Sequence, residues 1–103
     1  MIDWQQVLVL KEEVGEDDFG EVVEMFLEEV EEVLADLGTD TEPSALEASL
    51  HALKSSALNL GFSGFADLCA SGEKAAGRGE AVDLAAIRSM YADSRAVFDA
   101  SRP

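Results

Sequence analysis

A chain of 103 residues holds enough material for one domain and not for two, since folded domains cluster near about 100 to 150 residues, and a single domain over residues 1–103 is expected. Its 48% apolar content with only two prolines is that of a packed core and argues against a disordered chain. Residues 1–53 carry sixteen acids and one base, Lys11, whereas residues 54–103 carry six of each, and so negative a half would repel phosphate backbones and anionic lipid, leaving proteins as the expected partners and excluding nucleic acid and membrane.

Helical periodicity runs through nearly every segment, and no stretch alternates with period two, so the expected fold class is all-α. The first helix spans roughly Trp4 to Val14, with Asp3 and Gln6 forming a capping box and Gly15 ending it. The second, roughly Phe19 to Leu37, lines Phe19, Val22, Val23, Phe26, Leu27, Val30, Val33, Leu34 and Leu37 along one stripe and turns Glu24, Glu28, Glu31 and Glu32 to water; its acids read as a solvated face rather than a docking surface. Gly38 and the Thr-Asp-Thr-Glu-Pro segment close it. A third helix, roughly Ser44 to Leu60, starts from a Ser44–Glu47 box or from an earlier cap at Thr41, and stops at Gly61. The fourth, roughly Gly64 to Ala76, has a seam of Phe65, Leu68, Cys69, Gly72 and Ala76 and ends at Gly77 or Gly79. The fifth, roughly Val82 to Phe98, repeats Leu84, Ile87, Tyr91, Ser94 and Phe98 with Met90 and Val97 beside them. Short connections between long helices predict an antiparallel, up-down-up-down four-helix bundle with a short additional N-terminal helix.

The apolar runs are all broken before the about 18 residues that span a bilayer, and the opening Met1-Ile2-Asp3-Trp4 lacks a basic leader, so a cytoplasmic location is expected. Cys69, the single cysteine, has no partner for a disulfide and no second Cys or His for a zinc site, and reads as a small core residue at a helix seam. With one histidine and no inward Glu-x-x-His pair, a metal-dependent bundle hydrolase lacks ligands, and no metal site is expected.

On a wheel of about 100° per residue, Leu46, Leu50, Leu53, Ala57 and Leu60 share an arc of about 80°. His51 then points outward, about 140° from the centre of that arc, with Glu47, Lys54, Ser55 and Leu58 as its helical neighbours. A lone histidine is often incidental. Its company argues otherwise: imidazole keeps a nucleophilic ring nitrogen near neutral pH, and phosphoryl transfer asks mainly for exposure, positioning and nearby positive charge. Lys54 lies one turn from His51 and is the first base after 42 residues without Lys or Arg. The bland alternative is a surface lysine paired with Glu47 or Glu73, worth at most about 0.5 kcal/mol.

The string HALKSSALNLG, His51 to Gly61, resembles the signature of histidine-containing phosphotransfer (HPt) domains: His, any residue, Leu, Lys, Gly, Ser, then Leu-Gly nine and ten residues after the histidine. His51, Leu53, Lys54, Ser56, Leu60 and Gly61 match. The segments Glu24-Met25-Phe26-Leu27 and Leu68-Cys69, the latter running on to Glu73-Lys74-Ala75-Ala76, are similar to that family as well. The departure is Ser55, where the family usually has Gly. The resemblance implies a phosphorelay intermediate in two-component signal transduction, phosphorylated on His51 with Lys54 as electrostatic support. Its partners would be response-regulator receiver domains, which donate or accept the phosphoryl through an aspartate and supply the magnesium, and a hybrid histidine kinase. Glu47, Ser55 and Leu58 are the residues expected to meet them. The chain itself would be a monomeric phosphoryl carrier needing no cofactor of its own, and without a Gly-rich nucleotide loop it would have no ATP-dependent autokinase activity. The rival reading is a helical adaptor or scaffold with an inert histidine, for which Ser55 is the best support.

Overall fold

The computed structural model describes residues 1–39 and 42–102. Five helices occupy them, with no strand among the described residues: α1 (Trp4–Val14), α2 (Glu16–Asp36), α3 (Pro43–Leu60), α4 (Ser63–Gly77) and α5 (Leu84–Ser101). Helices α2 to α5 form the expected antiparallel bundle, and with α1 the molecule is an elongated body of 42 × 19 × 18 Å. The antiparallel run of α5 against α2 and of α4 against α3 follows from paired residues. On α5, Arg88 donates to the carbonyls of Leu34 and Leu37, Tyr91 and Arg95 donate to Glu31, and Arg102 reaches Glu24, so residue numbers rise on one helix as they fall on the other. Across α3 and α4, Lys54 and His51 meet Glu73 while Glu47 lies against Gly77. The aromatic pair Phe65–Tyr91 joins α4 to α5.

Several boundaries move, each for a physical reason. Helix α2 begins at Glu16 rather than Phe19, because Glu16, Asp17 and Asp18 place negative charge in the first turn, where the helix dipole favours it. Helix α3 starts at Pro43, whose fixed φ suits the first helical position. The Ser44–Glu47 box therefore does not form: Ser44 is inside the helix, and the capping residue Glu42 makes no side-chain cap bond. The alternative cap, Thr41, lies outside the described residues. Helix α4 takes in Gly77, and Gly79 follows it with φ +71°. Helix α5 starts at Leu84, two residues after the expected Val82, because Asp83 caps it through the Ala86 amide, and it continues past Phe98 to Ser101.

The core is the expected one, with Phe19, Val23, Leu27, Val30 and Leu34 of α2, Leu50, Leu53, Ala57 and Leu60 of α3, and Ile87, Tyr91 and Phe98 of α5 all buried in one cluster. Val22, Phe26, Val33, Leu46, Leu68, Leu84 and Met90 are only partly covered at its edge, and Val97, expected beside the α5 seam, is exposed because it faces away from the other helices. Cys69 is fully buried, and burial pushes its thiol up to about 12, so it stays protonated and serves as packing. Gly72 lies where three helices converge, and a Cβ there would come within 3.1–3.3 Å of the Val82, Leu50 and Ile87 side chains, which would have to shift by a few tenths of an ångström.

Helix α1 is more than an appendage. It closes the end of the bundle where α3 stops and α4 begins: the Asp3 amide donates to the Gly61 carbonyl at 2.7 Å, the Gly64 amide and Ser63 hydroxyl donate to the Met1 carbonyl, and Trp4 stacks on Phe98 at 5.9 Å. Asp3 caps the Gln6 amide as expected, but the Gln6 side chain reaches the Asn59 carbonyl instead of returning to Asp3, so the box is half formed. Gly61 holds this junction. Its φ of +89° is left-handed, and a Cβ would lie 2.8 Å from the Asp3 carbonyl oxygen and 2.9 Å from Val7. Gly61→Ala should therefore cost about 2 kcal/mol or more, combining the strained backbone with displacement of α1. A thermal melt within 2 °C of wild type would contradict this account of the junction.

Candidate functional site

The middle of α3 presents His51 on the outer face of the α3–α4 seam, its side chain 61% exposed. Leu50 and Leu53 on either side of it are buried, so the helix is locked in rotation and the imidazole cannot turn inward. Helix α4 supplies the residue that organises the site. Glu73 extends across the seam and places Oε2 2.9 Å from His51 Nδ1 and Oε1 2.9 Å from Lys54 Nζ. The two expected catalytic residues are thus joined through one carboxylate that comes from a different helix.

The protonation states follow from this geometry. The hydrogen bond from Lys54, then that from His51, hold the Glu73 carboxyl below the usual carboxylate range. An ionised carboxylate only accepts hydrogen bonds, so His51 must donate from Nδ1, and the neutral ring then carries its lone pair on Nε2. That nitrogen is the one turned away from Glu73. Lys54 is half-buried along the seam, its stem against the bundle and its ammonium held at the rim.

The remaining expected residues divide. Ser55 and Leu58 are exposed, Leu58 at 54%, and by their positions on α3 they share the outward face with His51. Glu47 is exposed as well, but its carboxylate rests against Gly77 of α4, where a Cβ would collide with it. Of the two acids that could have paired with Lys54, Glu73 does so and Glu47 does not. Ser56, a motif residue, is buried, unlike its neighbour Ser55.

Sequence reasoning placed Glu73 only as a possible ion-pair partner of Lys54. Its bond to His51 was missed, because the two residues lie 22 positions apart and only the antiparallel register of α3 and α4 brings them together. Among the described residues no group of three or more His, Cys, Asp or Glu side chains could hold a metal ion, and no helix is long and apolar enough to cross a membrane.

The model of the Hpt domain family matches residues 21–97, a span that takes in most of α2 and of α5 and the whole of the site. Comparison with curated proteins and with solved structures returns no match.

The lowered Glu73 pKa makes a prediction about acid stability. A carboxyl with a depressed folded pKa stabilises the fold above its unfolded value, about 4.3, and that contribution is lost as pH falls through the lower folded value. Wild type should therefore lose more thermal stability than Glu73→Gln between pH 6 and pH 3. Parallel acid-side melting curves for the two proteins would contradict the bridging role of Glu73.

Proposed function

The chain belongs to the Hpt domain family, which carries out histidine phosphotransfer in two-component phosphorelays, and we propose that in this chain the phosphoryl group is carried on Nε2 of His51. The observation that supports this most is the outward imidazole whose Nδ1 is held by the ionised Glu73 carboxylate. The site needs no deep pocket, because the second reactant is the surface of another protein.

Hpt domains interact with receiver domains and kinases; for this chain we take the donor or acceptor to be the aspartate of a receiver domain. In the forward step the Nε2 lone pair attacks phosphorus, the bond between phosphorus and the aspartyl oxygen breaks, and the aspartate leaves with the electron pair. The Nδ1 proton stays between His51 and Glu73, whose negative charge balances the positive charge that develops on the ring. The reverse step returns the phosphoryl by the same path. Charge in the transition state spreads over three equatorial oxygens, and Lys54, kept at the rim by Glu73, faces that charge.

Exposed Ser55 and Leu58 make the ground on which a receiver would settle, with Glu47 at its edge. The structure gives Ser55 a tolerant setting: it stands outside the core, so serine in place of the family's usual glycine disturbs no packing. Three variants test the carrier and its docking face. With a phosphorylated receiver as donor, His51→Gln should take up no phosphoryl, and wild type should form an acid-labile, base-stable adduct at His51. Ser55→Gly should transfer within a few-fold of wild type, and Ser55→Leu, although folded, should lose on the order of 100-fold by holding the partner about 1 Å away. Phosphoryl uptake by His51→Gln would overturn His51 as the carrier, undiminished transfer by Ser55→Leu would show that this face does not dock the receiver, and no uptake by wild type would favour an adaptor with an inert histidine.

A further inference from the structure

The cations of this chain are almost all spoken for. Lys11 pairs with Glu16, Lys54 with Glu73, Arg78 with Glu80, Arg95 with Glu31 and Asp99, and Arg102 with Glu24, while Arg88 caps the end of α2. Lys74 is the exception: exposed on α4, it is the one Lys or Arg side chain among the described residues with no ion pair or hydrogen bond. Its position gives that exception a meaning.

Glu73 reaches straight across the seam to α3. Lys74, the next residue, is turned about 100° further from the core, and His51 on α3 is turned about 60° further out than Lys54. Because α3 and α4 run antiparallel, these rotations have opposite sense when viewed down the bundle, and both side chains emerge on the same outer face. They also stand at the same height, since Glu73 is bonded to His51 and Lys74 lies about 1.5 Å further along the helix. The flexible four-carbon stem of a lysine spans the distance between neighbouring helix faces.

Charge at the seam then decides what Lys74 is for. The Lys54 ammonium is compensated by Glu73 at 2.9 Å, and Glu47 adds a second, unpaired carboxylate on the same rim. A phosphoryl group on Nε2 would enter surroundings that are net negative without Lys74. Building on the phosphotransfer reading above, we propose that Lys74 is a second phosphoryl-binding cation, contacting the phosphoryl oxygens from α4 while Lys54 and Glu73 orient His51 from below.

Phosphoramidate tests this without a protein partner. His51 Nε2 attacks its phosphorus, the P–N bond breaks and ammonia leaves with the electron pair, so a residue that acts only by docking a receiver has no influence on the rate. Wild type, Lys74→Gln and Lys74→Arg are compared with phosphoramidate and with a phosphorylated receiver. Lys74→Gln should be slowed about tenfold with both donors, and Lys74→Arg should recover most of the rate. Slowing with the receiver alone would make Lys74 a docking contact and overturn the inference, as would equal rates for Lys74→Gln and wild type with phosphoramidate. A wild-type chain that accepts from neither donor would overturn the phosphotransfer reading and this inference with it.

Discussion

The arrangement of this molecule turns on a single carboxylate spanning the seam between α3 and α4. Glu73 takes a hydrogen bond from His51 and an ion pair from Lys54, both at 2.9 Å, and each contact reinforces the other. Lys54 helps keep the carboxyl ionised, ionisation makes it an obligate acceptor, and an obligate acceptor fixes which imidazole nitrogen bears the proton. The imidazole nitrogen that keeps the lone pair, Nε2, is thereby selected by a residue on a different helix.

Such a bridge works only if the two helices lie close and in fixed register. Small residues on α4 provide the closeness: Gly72 admits Leu50 and Ile87 to the same point, and Gly77 admits the Glu47 carboxylate. Register is held from both ends, by the buried leucines of α3 within the bundle and by Gly61, where the turn into α4 receives α1. The Leu60–Gly61 pair of the motif is thus architectural. It stands nine and ten residues from the histidine yet shapes the junction from which α4 departs, ten residues before Glu73 meets His51.

The uneven charge along the chain also has a spatial resolution. Helix α2 is acidic on its outer side, and α5 brings Arg95 and Arg102 against Glu31 and Glu24 while Arg88 satisfies carbonyls at the end of α2. The pairing closes the bundle on the side remote from His51. Tyr91 belongs to the same closure: burial, reinforced by its hydrogen bond to Glu31, raises its phenol well above the ordinary value, so the donor is permanently protonated. The cations of the second half of the chain are therefore mostly structural, which leaves the surroundings of His51 dependent on the few that are not.

The sequence alone determined the helices, because apolar spacing near 3.6 residues and the Asp3, Gly15, Gly38 and Gly61 boundaries are local signals that act within a few residues. It determined the outward direction of His51 for the same reason: a buried stripe on α3 fixes where the other side of that helix points. Proximity of Lys54 to His51 was legible too, one turn apart on one helix. First turns were read less well, at Glu16 and Pro43, where dipole and proline effects extend a helix beyond its apolar pattern. The bond between His51 and Glu73 and the placing of Glu47 against Gly77 were decided only by the tertiary structure. Each joins residues more than twenty positions apart, and no local periodicity encodes the register and separation of two packed helices.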